Sequence, residues 1–366
     1  MQDLSWCIAR HNLPYADLFF SPHLKKISIS MSRSWRGYRA PGSVLPTIAS
    51  TISVLPTFAL QILFMDSSHC EIPWADLKDS FSSVALRCGP SLTEFTSPVS
   101  LSEAAINHLI QLPHLRIWRV NGPPPSYSTS SLPLLFPPLV EFTLGEGATR
   151  GWLSLFGRLD DRVSTTQGTI PLSRMKESLE SLTISDPPDL TIDVSIASPI
   201  QIFRNLVHLS VAVHCHGLYN QCSFKLSNDN VAELVIALPR LEVLFLGHPC
   251  HENACATTVN CLLTISVHCV KMRKLEIHFN TTKIVDDLKN LSEDPRFQEL
   301  CSLPRCSLTC LIAYDTPLTL DGPGFETVAN GLVSIFPSLE CCAGAKEIWD
   351  EISERIAVIQ VKRPLP

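Results

Sequence analysis

The sequence predicts an α/β array in which short parallel strands, each followed by a helix, stack side by side in chain order. Three observations carry this. One apolar spacing recurs along the chain: an apolar residue, two variable ones, a second apolar residue, one variable, a third apolar residue. Runs with helical apolar periodicity fill intervals between the copies. The composition is also skewed, with 50 Leu and 28 Pro but only 15 Gly in 366 residues, where ordinary usage is ~5% Pro and ~7% Gly. A Leu-rich, Gly-poor chain is a poor match to a nucleotide enzyme, whose phosphate loops consume glycine. Hydrophobic residues at 45% against 17% charged exclude intrinsic disorder. A net charge of −6 argues against a mainly electrostatic nucleic-acid binder.

The copies run in order. Leu24-x-x-Ile27-x-Ile29 and Leu60-x-x-Leu63-x-Met65 come first, then a weaker Leu92/Phe95. Leu115/Trp118/Val120, Leu139/Phe142/Leu144, Leu179/Leu182/Ile184, Leu206/Leu209/Val211, Leu241/Leu244/Leu246 and Met272/Leu275/Ile277 follow. Leu308/Leu311/Ala313 and Leu339/Cys342 are again weaker. First positions lie 23 to 40 residues apart. Between them, Leu101 to Leu112 reads as a helix with Ser100 and Glu103 as a capping box. Val231 to Leu238, Thr257 to Val267 and Val328 to Phe336 read similarly. Leu112-Pro113, Leu238-Pro239 and Phe336-Pro337 punctuate helix ends, because proline disfavours helical geometry in the residue before it. Leu-x-x-Leu-x-Leu with intervening helices is the leucine-rich-repeat signature. The irregular period, and the lack of a regular Asn or Cys after the last Leu, mark these repeats as degenerate. The predicted fold is therefore an irregular leucine-rich-repeat solenoid, a curved parallel sheet on the concave side with helices on the convex side. Residues 1–23 read as a lead-in holding an incomplete first repeat, 24–344 as the array, and 345–366 as a capping helix and tail. Ile348, Ile352, Ile356 and Ile359 form the predicted apolar face of that cap.

The first ten residues lack a basic stretch followed by an apolar run, so no secretory signal is expected. The 14 cysteines are scattered, with Cys88, Cys261, Cys269 and Cys310 inside apolar segments. That predicts reduced, mostly buried thiols and a cytoplasmic or nuclear location. Residues 40–65 carry no charge, but Pro41, Pro46 and Pro56 interrupt them. They predict a buried helix turn followed by a strand, and no membrane span.

Several segments resemble the leucine-rich-repeat portion of the large fungal family of F-box proteins. They are Trp74-Ala-Asp-Leu-Lys-Asp-Ser-Phe-Ser-Ser, Leu109-Ile-Gln-Leu-Pro-His-Leu, Phe136-Pro-Pro-Leu-Val-Glu-Phe-Thr-Leu, Asn230-Val-Ala-Glu-Leu-Val, Leu238-Pro-Arg-Leu-Glu-Val-Leu and Ile335-Phe-Pro-Ser-Leu-Glu. The resemblance covers roughly residues 18 to 360. It implies a non-catalytic protein-binding module whose repeats hold the substrate of a cullin ubiquitin ligase. In that family an N-terminal F-box binds a Skp1-type adaptor. Here only Leu13-Pro14 is similar to an F-box start, and Tyr15-Ala16-Asp17 leads straight into a repeat. The F-box is expected to be missing, so Skp1-type adaptor binding requires one upstream of this chain. The alternative is a free-standing scaffold or decoy.

The enzyme reading rests on Gly145-Glu-Gly147-Ala-Thr-Arg-Gly151, which follows a strand and precedes an apolar helix, Trp152 to Leu159. Its spacing is one residue too long for the dinucleotide fingerprint. The preceding strand also alternates, with Glu141 and Thr143 between apolar residues, unlike a strand buried on both faces. A repeat turn is the expectation. His248-Pro-Cys250-His251-Glu-Asn-Ala-Cys255 and His214-Cys215-His216 group possible zinc ligands but lack the paired spacing of a structural site. Asp160-Asp161 and Asp286-Asp287 read as helix-associated charge. Lys25, Lys26, Arg33, Arg36 and Arg39, interleaved with Trp35 and Tyr38, are too short a basic run to predict nucleic-acid binding. No catalytic residue, cofactor or metal is expected.

Period-two alternation sends the variable strand positions to the face opposite the core. The candidate protein-binding face is therefore Ile117, Arg119, Glu141, Thr143, Ser181, Thr183, His208, Ser210, Val243, Phe245, Lys274, Glu276 and Ile312, with Cys310 beside it. Ile117, Val243, Phe245 and Ile312 are apolar among polar neighbours, the pattern of a partner surface. The expected partner is a protein, with no nucleic acid and no membrane.

Overall fold

The computed structural model describes residues 2–8, 21, 23–31, 44–53, 55, 57, 59–66, 74–122, 136–145, 147–163, 173–186, 193–213, 225–247, 256–301, 305–314, 320, 322–344 and 347–362. It divides into two compact units, Met1–Leu179 and Glu180–Pro366. The sequence marks no boundary there, because the break falls inside one repeat of the predicted array.

The first unit carries β1 (Asp3–Ile8), β2 (Lys26–Met31), α1 (Val44–Ser53) and β3 (Ile62–Asp66). A 3-10 turn, Trp74–Leu77, leads into α2 (Lys78–Arg87), β4 (Glu94–Thr96), α3 (Glu103–Ile110) and β5 (Ile117–Val120). β6 (Glu141–Leu144), α4 (Thr149–Val163) and α5 (Ser173–Ser178) complete it. Its six strands pair in parallel, each with the next in sequence.

The second unit begins with β7 (Ser181–Asp186), α6 (Val194–Ile200), β8 (His208–Val213), α7 (Asn228–Ala237), β9 (Val243–Leu246) and α8 (Asn260–His268). It continues with β10 (Lys274–His278), α9 (Ile284–Glu293), α10 (Pro295–Cys301), β11 (Cys310–Tyr314), α11 (Gly322–Ile335), β12 (Cys341–Gly344) and α12 (Glu347–Lys362). Its six strands are also parallel and sequential. Within each unit, order along the sheet equals order along the chain. Neither therefore contains the strand-order reversal at which doubly wound folds bind nucleotides.

The repeated spacing works as the physics requires. Every first-position residue from Leu24 to Leu339 is fully buried. The second positions are buried as well, from Ile27 and Leu63 to Leu311 and Cys342. At nine of the first positions, the carbonyl of the next residue accepts two N–H groups from the following copy. Lys25 O accepts from Gln61 and Ile62, Arg116 O from Val140 and Glu141, and Glu242 O from Arg273 and Lys274. The same pair runs from Lys25 and Lys26 to Gln2 O, so β1 is a full member of the array. Residues 1–23 thus hold a paired strand, where the sequence reading placed the first one at Leu24. Leu4, buried and paired in register with Ile27, is its second-position residue.

Helix ends follow the punctuation. α3 stops before Leu112-Pro113, α7 before Leu238-Pro239 and α11 before Phe336-Pro337. The α3 cap differs from the expected Ser100/Glu103 box: Ser102 accepts from the Ala105 N–H. Glu103 is the first helical residue and lies too early to close a box. The box does form on α7, between Ser227 and Asn230. α12 is the predicted cap, but it buries Trp349, Ile352 and Ile356, while Ile348 and Ile359 are half-buried. Trp349 approaches Gly344 so closely that a Cβ there would sit 2.1 Å from the indole. α12 also satisfies the last strand: Ser353 Oγ accepts the Cys342 N–H, and Gln360 Nε2 donates to the Pro337 and Leu339 carbonyls. A sheet edge is thereby covered by a helix. As residues 40–65 predicted, α1 precedes strand β3. No described helix is long and apolar enough to cross a membrane.

Candidate functional site

Alternation along the strands leaves one sheet face without helices among the described residues, and its side chains fall into rows set by register. In the first unit one row is Ile62, Glu94, Ile117, Glu141, and the next is Phe64, Thr96, Arg119, Thr143. In the second unit the rows are Ser181, His208, Val243, Lys274, Cys310, Cys341 and Thr183, Ser210, Phe245, Glu276, Ile312, Ala343. All thirteen predicted positions fall in these rows. Most are half-buried, as expected for a face wetted by solvent. Glu276 departs from that, being only 8% exposed. Its register neighbours are Phe245 and Ile312, and large apolar side chains on both sides shield it.

The first unit concentrates charge around Arg119. Its guanidinium reaches Glu94 Oε1 at 2.7 Å on one side and Glu141 Oε1 at 2.7 Å on the other, with Thr96 Oγ1 at 3.3 Å. Burial disfavours the cation, but the hydrogen bonds and charges of the two carboxylates outweigh it and raise the Arg119 pKa above its ordinary value. Ile117 lies between the two carboxylates in its row. In the second unit's rows Lys274 pairs with Glu276. The hydrogen bond to Glu276 raises the ammonium pKa.

Six members of these rows lie outside the predicted face. Glu94 and Thr96 lie two and four residues after Leu92, and Cys341 and Ala343 two and four after Leu339, both weak copies. Ile62 and Phe64 hold the same places after Leu60.

The turn Gly145 to Gly151 is built for stacking. Gly145 N–H donates to Val120 O, and the space a Cβ would need at Gly145 is taken by Asn121 Oδ1, 1.6 Å away. Gly147 adopts φ 71°, a left-handed conformation that favours glycine. Beyond it, α4 drives Trp152 and Phe156 into Trp118, Phe136 and Phe142, with Trp152 edge-on to Trp118 at 5.5 Å and 82°. The indole N–H groups of Trp118 and Trp152 and the Thr149 hydroxyl are buried there without a hydrogen-bond partner.

His214, Cys215 and His216, and the segment His248 to Cys255, lie outside the described residues, as do Arg33, Trp35, Arg36, Tyr38 and Arg39. Among the described residues no three His, Cys, Asp or Glu side chains are placed to hold a metal. Asp286 and Asp287 occupy the first turn of α9. Burial, aided by Asp286 and opposed by Lys283, raises the Asp287 carboxyl above its usual range. Cys88, Cys261, Cys269 and Cys306 are buried. Burial pushes Cys88 and Cys269 up to about 12 and Cys306 to about 11, which leaves them little thiolate. Compared with known proteins, the chain matches no family model and no curated protein.

Proposed function

We propose that this chain is a non-catalytic protein-binding module, related to the substrate-recognition region of F-box subunits, and that it captures a protein partner on the helix-free sheet face of the second unit. The observation that carries this reading is the row Phe245, Glu276, Ile312, with Val243 and Lys274 beside it. It is an apolar strip with one shielded carboxylate, on strands whose backbone groups are already paired. Interfaces draw most of their energy from a few such anchors ringed by polar groups. Phe245→Asp places a second acid in the strip without touching the opposite, buried face. Proteins captured from extract by the immobilised chain are compared with those captured by Phe245→Asp, by quantitative mass spectrometry. Selective loss of a defined set, with unchanged circular dichroism, supports the reading; an identical set sinks it.

A free-standing scaffold without ligase recruitment is the second form of the reading. Pull-down with a Skp1-type adaptor separates the two, since adaptor binding by this chain alone requires an F-box-like surface within it. The enzyme alternative predicts that a nicotinamide nucleotide raises the melting temperature through the Gly145 to Gly151 turn; the filled space at Gly145 favours no shift.

A further inference from the structure

Cys310 and Cys341 hold equivalent outward positions on neighbouring strands β11 and β12, paired Cα to Cα in register. Both are free. Adjacent strands lie ~4.8 Å apart, within the ~4.4–6.8 Å Cα separation that a disulfide spans. The Cys341 thiol donates to Thr309 O at 3.7 Å and stands near enough to Cys310 to raise its pKa. Cys341 is exposed and Cys310 half-buried, so a reagent in solution meets Cys341 first. Cys342, next in sequence, is 4% exposed and faces the core, as alternation dictates. Cys88, Cys269 and Cys306 are buried, so a reagent in solution does not reach them as it reaches Cys341.

We propose that Cys310 and Cys341 form a dithiol site that a low-molecular-weight disulfide of the glutathione class oxidises reversibly to a cross-strand disulfide. In the first step the Cys341 thiolate attacks one sulfur of the small disulfide. That S–S bond breaks, a mixed disulfide forms on Cys341, and the departing small thiolate takes up the proton Cys341 released. In the second step the Cys310 thiolate attacks the Cys341 sulfur. The Cys310–Cys341 bond forms, and the second small thiol leaves with the proton from Cys310. Two protein thiols and one small disulfide become one protein disulfide and two small thiols, with two electrons passing to the small molecule. Burial holds the Cys310 thiol up at about 11, with Cys341 and Glu276 adding to this and the Lys274 ammonium opposing it. Cys310 is thus suited to the intramolecular second step, where register holds its neighbour beside it, and poorly suited to the first.

The test uses the full chain, reduced and then exposed to oxidised glutathione, quenched by alkylation, digested and mapped by mass spectrometry. A peptide linking Cys310 to Cys341, reversed by dithiothreitol, is expected in the unmodified sequence. Cys310→Ser should instead accumulate a stable glutathione adduct on Cys341. Cys341→Ser should leave Cys310 open to alkylation. The proposal is overturned if glutathione stays on Cys341 of the unmodified chain while Cys310 remains alkylatable. It is equally overturned if Cys341 links to Cys342. The mapping of the unmodified chain decides the matter whether or not either variant folds.

Discussion

The helix-free faces of the two units are written on the same strand scaffold and differ in chemistry. Around β4 to β6 the first unit spends its outward positions on Arg119 and the two carboxylates that clamp it. Around β9 to β12 the second unit presents Val243, Phe245 and Ile312, a shielded Glu276 and two thiols side by side in register. The difference teaches that the repeat constrains only alternate positions. Inward residues are fixed by burial, and outward ones are free to become either an internally satisfied ion network or a contact surface.

The first way to break this comparison is to exchange faces. Phe142→Ala and Leu244→Ala, both on the inward face, should each cost about 2–5 kcal/mol. Phe245→Asp, one residue from Leu244, should cost about 1 kcal/mol or less, as expected for a side chain outside the core. Urea midpoints measure both. Equal losses would place Phe245 in the core and remove the proposed surface.

A smaller effect separates the two ion clusters. Lys274→Met removes the ammonium paired with Glu276, which is nearly buried, and should cost about 2 kcal/mol. Adding Glu276→Gln should recover most of that. Arg119→Met leaves two carboxylates that solvent still reaches, and should cost about 1 kcal/mol, less at high salt. A larger loss for Arg119 would reverse the ranking of the two faces.

Thr149→Val should raise stability by about 1 kcal/mol, because the buried hydroxyl has no partner and valine keeps its shape. A fall in melting temperature would mean that the hydroxyl is satisfied.

The smallest effect concerns Asp287. Its folded pKa lies above the unfolded value, so the folded state binds the extra proton in the window between them. Stability therefore falls as pH rises through that window and is constant above it. Asp287→Asn should flatten this slope, by less than about 0.5 kcal/mol at a half-buried carboxylate that solvent still screens. A steeper slope in the variant would contradict the sign.

Much of the fold was legible because burial leaves a period. Leu-x-x-Leu-x-Leu located β2 to β12, and Leu-Pro or Phe-Pro steps located the ends of α3, α7 and α11. β1 escaped because Leu4 is its one leucine, and α2 because Lys78 to Arg87 interleaves small polar residues with Phe81, Val84 and Ala85. The cap of α3 was misplaced because serines at 100 and 102 offer the same side chain, and only the backbone turn chooses between them. Outward positions could be numbered but not described. Nothing in the spacing says that Arg119 reaches both neighbouring strands, that Glu276 is shielded, or that Cys310 and Cys341 sit side by side. Those facts arise from register between residues 23 to 36 positions apart.

Chain order that equals spatial order has a mechanical consequence. No strand of either unit is threaded between earlier ones, so a unit pulled from its end can release its outermost strand and helix while the rest stay paired. Under tension such a unit lengthens in steps rather than in one rupture. With 23 to 40 residues between first positions, each step lets out about 80 to 140 Å of chain.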